Sequence, residues 1–136
     1  MVVVFLAEGF EEVEALAPVD VMRRAGLAVK LAGVTGREVT GSHGICVQTD
    51  MDAQEVDATL AHKGLLAGKN ATAFPGFQKD LQEGGALLSE SYVVRDGQFL
   101  TARGMGVATQ FGLALVAALV SEEKAAEIRA SIQWEA

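Results

Sequence analysis

Four carboxylates crowd one short stretch near the start of the sequence, directly after an apolar run: Glu8, Glu11, Glu12 and Glu14. Acids at the start of a helix usually face water and stabilise the helix dipole, and we interpret the first three in that way. Glu14 differs, because helical spacing turns it toward the apolar side of the helix, next to Val13 and Ala17. We therefore expect Glu14 to be partly buried and able to hold a proton near neutrality, as a general acid or base does.

A carboxylic acid of this kind usually works with a cysteine or serine on a strand-to-helix elbow, and the sequence contains no such elbow. The single cysteine, Cys46, lies in a glycine-punctuated segment, so we interpret it as a structural thiol. His43 is assigned to a turn, and His62 to the surface or rim of a helix. One cysteine and two histidines do not supply a zinc site, so we predict no metal and no cofactor. The Gly-Met-Gly run at residues 104–106 could present backbone amides to an anion, although it lacks the phosphate-loop pattern.

The composition is that of one globular domain, which we assign to residues 1–136. The net charge of -7 argues against nucleic acid and anionic membranes as partners, because both are bound by clustered basic residues. No stretch reaches the ~20 apolar residues that a membrane-spanning helix needs. The opening apolar run lacks the basic flank of a signal peptide, and a lone thiol is compatible with a reducing compartment. We therefore predict a cytoplasmic protein.

Alternating strand and helix patterns predict an α/β fold with a mostly parallel sheet. Residues 1–7 are a continuous apolar run typical of a buried strand, residues 10–25 a helix, and residues 27–34 a second strand. Pro18 is expected to kink or break that helix near Glu14. Hairpins are predicted between residues 38–40 and 45–48, and around Asp96-Gly97. The remaining predictions are a short helix or loop over 51–58, helices over 59–66, 78–83, 107–120 and 122–132, and a strand over 70–73.

Several motifs together resemble the ThiJ/PfpI family, which includes the parkinsonism-associated deglycase and bacterial relatives. The similar segments are the opening strand with GFEEVEALAPVDVMRRAG, then VTGSHGI, GLLAGKNATAFPGF and VVRDGQFLTARGMGVATQFGLALVAAL. The resemblance implies a flavodoxin-like fold, usually homodimeric, and a cysteine on a nucleophile elbow paired with a protonated glutamate. It also implies glyoxalase, deglycase, chaperone or redox-sensing roles. By position, Glu14 matches the family's active-site glutamate, and Arg103 and Gly104 match an arginine–glycine turn near the site.

Between Ala58 and Thr59, the resemblance requires a strand–helix–strand block that carries the cysteine elbow, and this sequence lacks it. Such a block takes at least ~30 residues, so we interpret the difference as a deletion. Phe74, before Pro75, stands where some relatives have a histidine. The lost strands would be central in a parallel sheet, so the gap has to be covered by a rearranged sheet, a swapped dimer or a partner chain.

The main functional hypothesis is a ThiJ/PfpI-like domain that has lost covalent catalysis and has a binding or structural role as a homo-oligomer. Its predicted contact surfaces are the helix over residues 10–25 and the segment 43–47. The alternative is a truncated form of a cysteine-dependent glyoxalase/deglycase-type hydrolase or stress-response protein acting on a small carbonyl compound, in which Glu14 could still serve as general acid–base. A third hypothesis is an interaction module that uses an exposed sheet edge.

Overall fold

Strands and helices alternate along the described part of the chain. The computed structural model describes residues 1–53 and 66–135. Its strands are β1 (Val2–Leu6), β2 (Val29–Gly33), β3 (Glu38–Thr40), β4 (Cys46–Gln48), β5 (Met51–Asp52), β6 (Asn70–Ala71), β7 (Leu87–Leu88), β8 (Val93–Asp96) and β9 (Phe99–Ala102). Its helices are α1 (Glu12–Arg24), α2 (Gln78–Glu83), α3 (Ala108–Leu119) and α4 (Glu122–Ser131), with 3₁₀ turns over Pro75–Phe77 and Met105–Val107. Residues 59–65 of the helix predicted over 59–66 lie outside the described residues.

The largest sheet is parallel. β1 pairs with β2 from Val2↔Val29 to Leu6↔Gly33, and β2 pairs on its other side with β5. β6 and β7 form a second parallel pair, whereas β3–β4 and β8–β9 are antiparallel hairpins. The predicted α/β fold with a mostly parallel sheet is confirmed, and both hairpins lie where they were predicted. The assignment of residues 51–58 to a helix or loop is wrong for β5, because pairing with β2 makes these two residues a strand.

One hydrophobic core joins this parallel sheet to three helices. Leu6 of β1, Leu31 of β2, Met22 of α1, Val116 of α3 and Ile128 of α4 are all buried in it. The core therefore fixes the start of α1 relative to the end of β1, where parallel α/β folds place their sites. No helix in the described ranges combines the length and apolarity needed to cross a membrane.

The helix α1 runs without a break through Pro18, so of the expected kink or break near Glu14 the break is wrong. Proline removes the N–H that would donate to the carbonyl one turn earlier. Tight packing against α3 offsets this loss, since a Cβ added to Gly112 would lie only 2.9 Å from the Pro18 Cα. The close approach of the two helices keeps α1 continuous and directs its first turn toward the loop that precedes α3.

Candidate functional site

A cavity of about 1140 Å³ lies between the first turn of α1 and the segment that leads into α3. Glu14, Arg103 and Gly104 all line it, so the structure brings together the three residues selected from the sequence. Much of the remaining wall is apolar or aromatic: Phe74, Phe77, Tyr92, Met105 and Phe111. A large, mostly apolar cavity with a few polar groups is the usual form of a small-molecule site.

Glu14 approaches both Gly104 and Phe74. A Cβ added to Gly104 would lie 3.2 Å from Glu14 Oε1 and 3.2 Å from the Phe74 ring. Gly104 also has a φ of 138°, a conformation that favours glycine. The Glu14 side chain is exposed, so the expectation of partial burial is wrong. Val13, its expected apolar neighbour, is 46% exposed, so this side of the first turn of α1 is not packed into the core.

Arg103 does not pair with Glu14. Its Nη1 donates to the Glu90 carbonyl oxygen at 3.1 Å, and its guanidinium lies 5.5 Å from the centre of the Tyr92 ring. In the described ranges no ion pair joins the arginine to Glu14. Arg103 therefore ties the segment before β8 to the cavity rim, and the Glu14 carboxylate faces the cavity without a cationic partner from the described residues.

The only thiol of the chain lies outside this cavity. Cys46 is exposed and pairs with Thr40 in the β3–β4 hairpin, as its predicted place in a hairpin requires. It does not line the cavity that contains Glu14. Since the whole sequence has one cysteine, no sulfur nucleophile lies beside Glu14 there.

A second carboxylate, Glu12, has a structural role that the sequence did not reveal. Its side chain is 6% exposed and accepts hydrogen bonds from the His43 backbone N–H at 2.8 Å and from His43 Nδ1 at 2.9 Å. The side-chain bond to His43 is the largest effect that lowers the pKa of Glu12, to about 2, against the opposing effect of burial. The same bond raises the pKa of His43 above its usual value. The interpretation of Glu12 as a water-facing acid is therefore wrong.

The phase of α1 gives a partial signal for this pair, and the structure shows the rest. Glu12 lies seven residues before buried Val19, on the core-facing side of α1. Gly41 packs so closely against Glu12 that a Cβ added to Gly41 would lie 2.5 Å from the Glu12 Cδ. A glycine is thus required where the hairpin closes over the carboxylate.

The other two acids of the stretch act on nearby backbone groups. Glu11 Oε2 accepts from the Glu14 N–H at 2.6 Å and caps α1. Glu8 is exposed and accepts from the Thr40 N–H at 3.3 Å. Glu11, Glu12 and His43 place potential ligand atoms within 4.8 Å of one another, the one such cluster found in the described residues. Because both carboxylates already accept hydrogen bonds there, we place no ion between them. His62 and the Ala58–Thr59 junction lie outside the described residues.

Comparison with known proteins gives the class of this chain. Its sequence matches the DJ-1/PfpI family over residues 1–59 and 57–118. A Danio rerio relative, Parkinson disease protein 7 homolog, is 32% identical over 178 aligned positions, which cover 95% of this chain and 94% of the relative. The chain belongs to the DJ-1/PfpI family, as its resemblance to ThiJ/PfpI proteins implied.

Two further comparisons give its fold and one named activity among its relatives. The crystal structure of Drosophila melanogaster DJ-1beta matches with a TM-score of 0.89 and 24% identity, covering 99% of this chain and 98% of that one. The fold is accordingly the flavodoxin-like α/β fold of DJ-1 structures. A protein of Pyrococcus abyssi that is named as a deglycase is 23% identical over 150 positions, which cover 77% of this chain and 90% of the relative.

Proposed function

We propose that this chain is a non-catalytic DJ-1/PfpI domain that acts by binding, as a homo-oligomer. The observation that carries the proposal is the cavity that joins Glu14, Arg103 and Gly104 without a cysteine. Covalent catalysis by an acid–thiol pair needs the two groups within hydrogen-bond reach. Cys46 lies in the β3–β4 hairpin and does not line that cavity, so the Glu14 carboxylate has no nucleophile to activate.

We attribute the missing nucleophile to a block absent between Ala58 and Thr59. The family match falls into two parts that meet at residues 57–59, which supports an interruption at this point. The alignment with the Danio rerio relative spans 178 positions, so at least 42 of them face no residue of this 136-residue chain. That difference exceeds the ~30 residues of a strand–helix–strand unit.

A binding role is supported by the size and chemistry of the cavity. Its volume of about 1140 Å³ is slightly above that of ordinary ligand sites, and aromatic rings form much of its wall. The ligand class that family membership suggests is a small carbonyl compound, held without a covalent bond. Glu14 can accept a hydrogen bond from such a ligand, since no described side chain already donates to it.

The oligomeric part of the proposal is supported by exposed apolar side chains. Val13 on α1 is 46% exposed, and Ile45 in the β3–β4 hairpin is 54% exposed. These lie on the two surfaces that the sequence analysis selected for contact between copies. Contact between two copies through these surfaces would cover both side chains.

A turnover assay with methylglyoxal tests the non-catalytic proposal. We expect a rate near background for the wild type, with Cys46→Ser and Glu14→Gln indistinguishable from it, because the two groups do not act as a unit. Turnover that disappears on Cys46→Ser would overturn the proposal. That result would favour the alternative of a shortened cysteine-dependent enzyme, which the relative named as a deglycase supports.

A further inference from the structure

We propose that the cavity lined by Glu14 binds an organic cation, an ammonium or guanidinium group on an apolar body, with the charged group between the Glu14 carboxylate and the Phe74 ring. The inference rests on the binding role of the proposed function. It adds the charge of the ligand, which family membership does not give. It is supported by a carboxylate without a cationic partner, by the aromatic rings around it, and by the balance of charge along the cavity wall.

The Glu14 carboxylate and the Phe74 ring lie close enough to contact one cation. Glu14 Oε1 and a carbon atom of the Phe74 ring would each lie 3.2 Å from a Cβ added to Gly104, so they are separated by no more than twice that distance. Since Gly104 lacks a side chain, no Cβ occupies the space between these two groups. A cation that is attracted to an aromatic ring lies within about 6 Å of the ring centre. One ammonium group can therefore contact both the carboxylate and the ring.

Four large apolar side chains line the cavity although each is more than half exposed: Phe74, Phe77, Tyr92 and Met105. Exposed apolar side chains that are grouped around a cavity are typical of a binding surface. Three of the four are aromatic rings, whose faces carry partial negative charge and attract cations. The apolar body of a ligand can cover these side chains while its charged group contacts Glu14.

The cavity wall already holds one cation of the chain against an aromatic ring. The Arg103 guanidinium lies 5.5 Å from the centre of the Tyr92 ring. Its Nη1 donates to the Glu90 carbonyl oxygen, so this charge is directed away from Glu14. Within the described ranges, no cation is found against Phe74 and none pairs with Glu14. A cationic ligand would thus contact Phe74 in the way that Arg103 contacts Tyr92.

The other charges of the cavity wall also favour a cation. Among the described residues, the charged or titratable side chains that line it are Glu11, Glu14, His43 and Arg103. The His43 Nδ1 lies 2.9 Å from Glu12 Oε2, so a positive charge on His43 is compensated by that carboxylate. Two carboxylates and one arginine remain, in a chain whose net charge is -7. An anionic ligand would have to approach both carboxylates.

The segment that leads into α3 is the feature of this cavity that would favour an anion, because backbone amides at the start of a helix can bind negative groups. Two of these amides are already used. The Val107 N–H donates to the Gly104 carbonyl at 3.1 Å. The Ala108 N–H donates to the Met105 carbonyl. An anion placed beside Gly104 would also meet Glu14 Oε1, so the geometry favours the cation.

Three probes that share a phenyl ring and differ in charge test the sign of the ligand. Near neutral pH, benzylammonium is cationic, benzyl alcohol is neutral and benzoate is anionic. In NMR titrations of the wild-type chain, we expect benzylammonium to bind about fivefold more tightly than benzyl alcohol, because it adds a cation–π contact and an exposed ion pair. Benzoate should bind most weakly of the three, since it would meet Glu11 and Glu14.

Glu14→Gln tests where the cation binds. The substitution removes the charge and keeps the size of the side chain, so the preference for benzylammonium over benzyl alcohol should fall by about threefold. The matched control is Glu38→Gln, which removes an exposed carboxylate of β3 that does not line the cavity. This control changes the net charge equally and should keep the preference of the wild type.

Phe74→Leu tests the aromatic contribution independently of the carboxylate. Leucine keeps an apolar side chain and lacks a ring face, so the preference for benzylammonium should fall by about twofold or more. Phe74→Tyr keeps the ring face and should retain the preference of the wild type. Because Phe74 is exposed, both variants should fold like the parent, and a thermal melt of each checks this.

The possible outcomes separate this inference from the proposed function. A preference for benzylammonium that falls in both Glu14→Gln and Phe74→Leu supports the cation site. An unchanged preference in either variant places the cation elsewhere and overturns the inference. Equal or tighter binding of benzyl alcohol or benzoate to the wild type overturns it as well, and leaves the binding role intact. If none of the probes binds at millimolar concentration, the inference fails together with the binding role, whereas the turnover assay still decides the non-catalytic part.

Discussion

Glu12 and Glu14 lie two residues apart at the start of α1, and their surroundings are opposite. Glu12 is buried under the β3–β4 hairpin, where His43 and Ser42 donate to it. Glu14 is exposed at the wall of the large cavity, and no described residue donates to its side chain. The difference shows that two acids of one helical turn have separate tasks. Glu12 accepts hydrogen bonds that hold the hairpin to the helix, whereas the Glu14 side chain accepts none from the described residues.

The largest effect is expected from the glycine that faces Glu12. Gly41→Ala would force its Cβ to within 2.5 Å of the Glu12 Cδ, so the carboxylate or the hairpin must move. We expect a loss of about 1–3 kcal/mol of unfolding free energy, as overpacking of a closed site usually costs. Chemical denaturation measures it. Gly106→Ala is the matched control, because a Cβ there meets no atom within 4 Å. Equal stability of the two variants would contradict the close packing around Glu12.

A smaller effect, with a defined pH dependence, is expected from the Glu12–His43 pair. Folding lowers the pKa of Glu12 from its usual value of 4.5 to about 2. The stability that the ionised Glu12 contributes is therefore complete above pH 4.5 and is lost as the pH falls through about 2. The pKa of His43 is raised above 6.5, so its stabilisation is complete below 6.5 and is lost as the pH rises through the raised value. The pair should therefore stabilise the fold most between pH 4.5 and 6.5.

Thermal melts of the wild type and Glu12→Gln from acid to alkaline pH check this dependence. We expect the wild type to melt several degrees higher inside the window, and the difference to shrink on both sides. On the alkaline side some difference should remain, because the His43 backbone N–H still donates to Glu12. A melting difference that is constant with pH would show that the two side chains do not form an ion pair.

The smallest effect is expected at Glu14. Glu14→Gln removes an exposed charge from the first turn of α1 without removing a hydrogen bond to its side chain, so the unfolding free energy should change by less than about 0.5 kcal/mol. Thermal melts between about pH 5 and 8 should coincide with those of the parent. A buried acid would instead make the stability depend on pH in this range. A clear stabilisation that grows with pH would instead mean that Glu14 is buried and unpaired.

The elements with strong local signals could be predicted from the sequence. The apolar run of β1, the helical period of α3 and the Asp96-Gly97 turn each determine their own local structure. The strands β5 and β7 could not be predicted, because each has two residues and exists through pairing with a distant strand. Sequence reasoning thus recovered the framework and missed the elements that depend on tertiary contacts.

The candidate site shows the same division. Glu14, Arg103 and Gly104, which the family resemblance selected, all line one cavity, and their role there stays a prediction. The burial of Glu12 could not be predicted from α1 alone, since it is His43, 31 residues further along the chain, that covers the carboxylate. Local charge patterns distinguish a helix-start acid from a buried one only when the covering segment is known.

The separation of the only thiol from Glu14 can be measured through the reactivity of Cys46. Its rate of alkylation by iodoacetamide under native conditions should be the same in the wild type and in Glu14→Gln, because the exposed thiol lies in the β3–β4 hairpin and outside the Glu14 cavity. The charges and hydrogen bonds next to a thiol control its reactivity. Equal rates are the predicted result. A change of about tenfold or more on Glu14→Gln would place the two groups in one site and contradict a non-catalytic cavity.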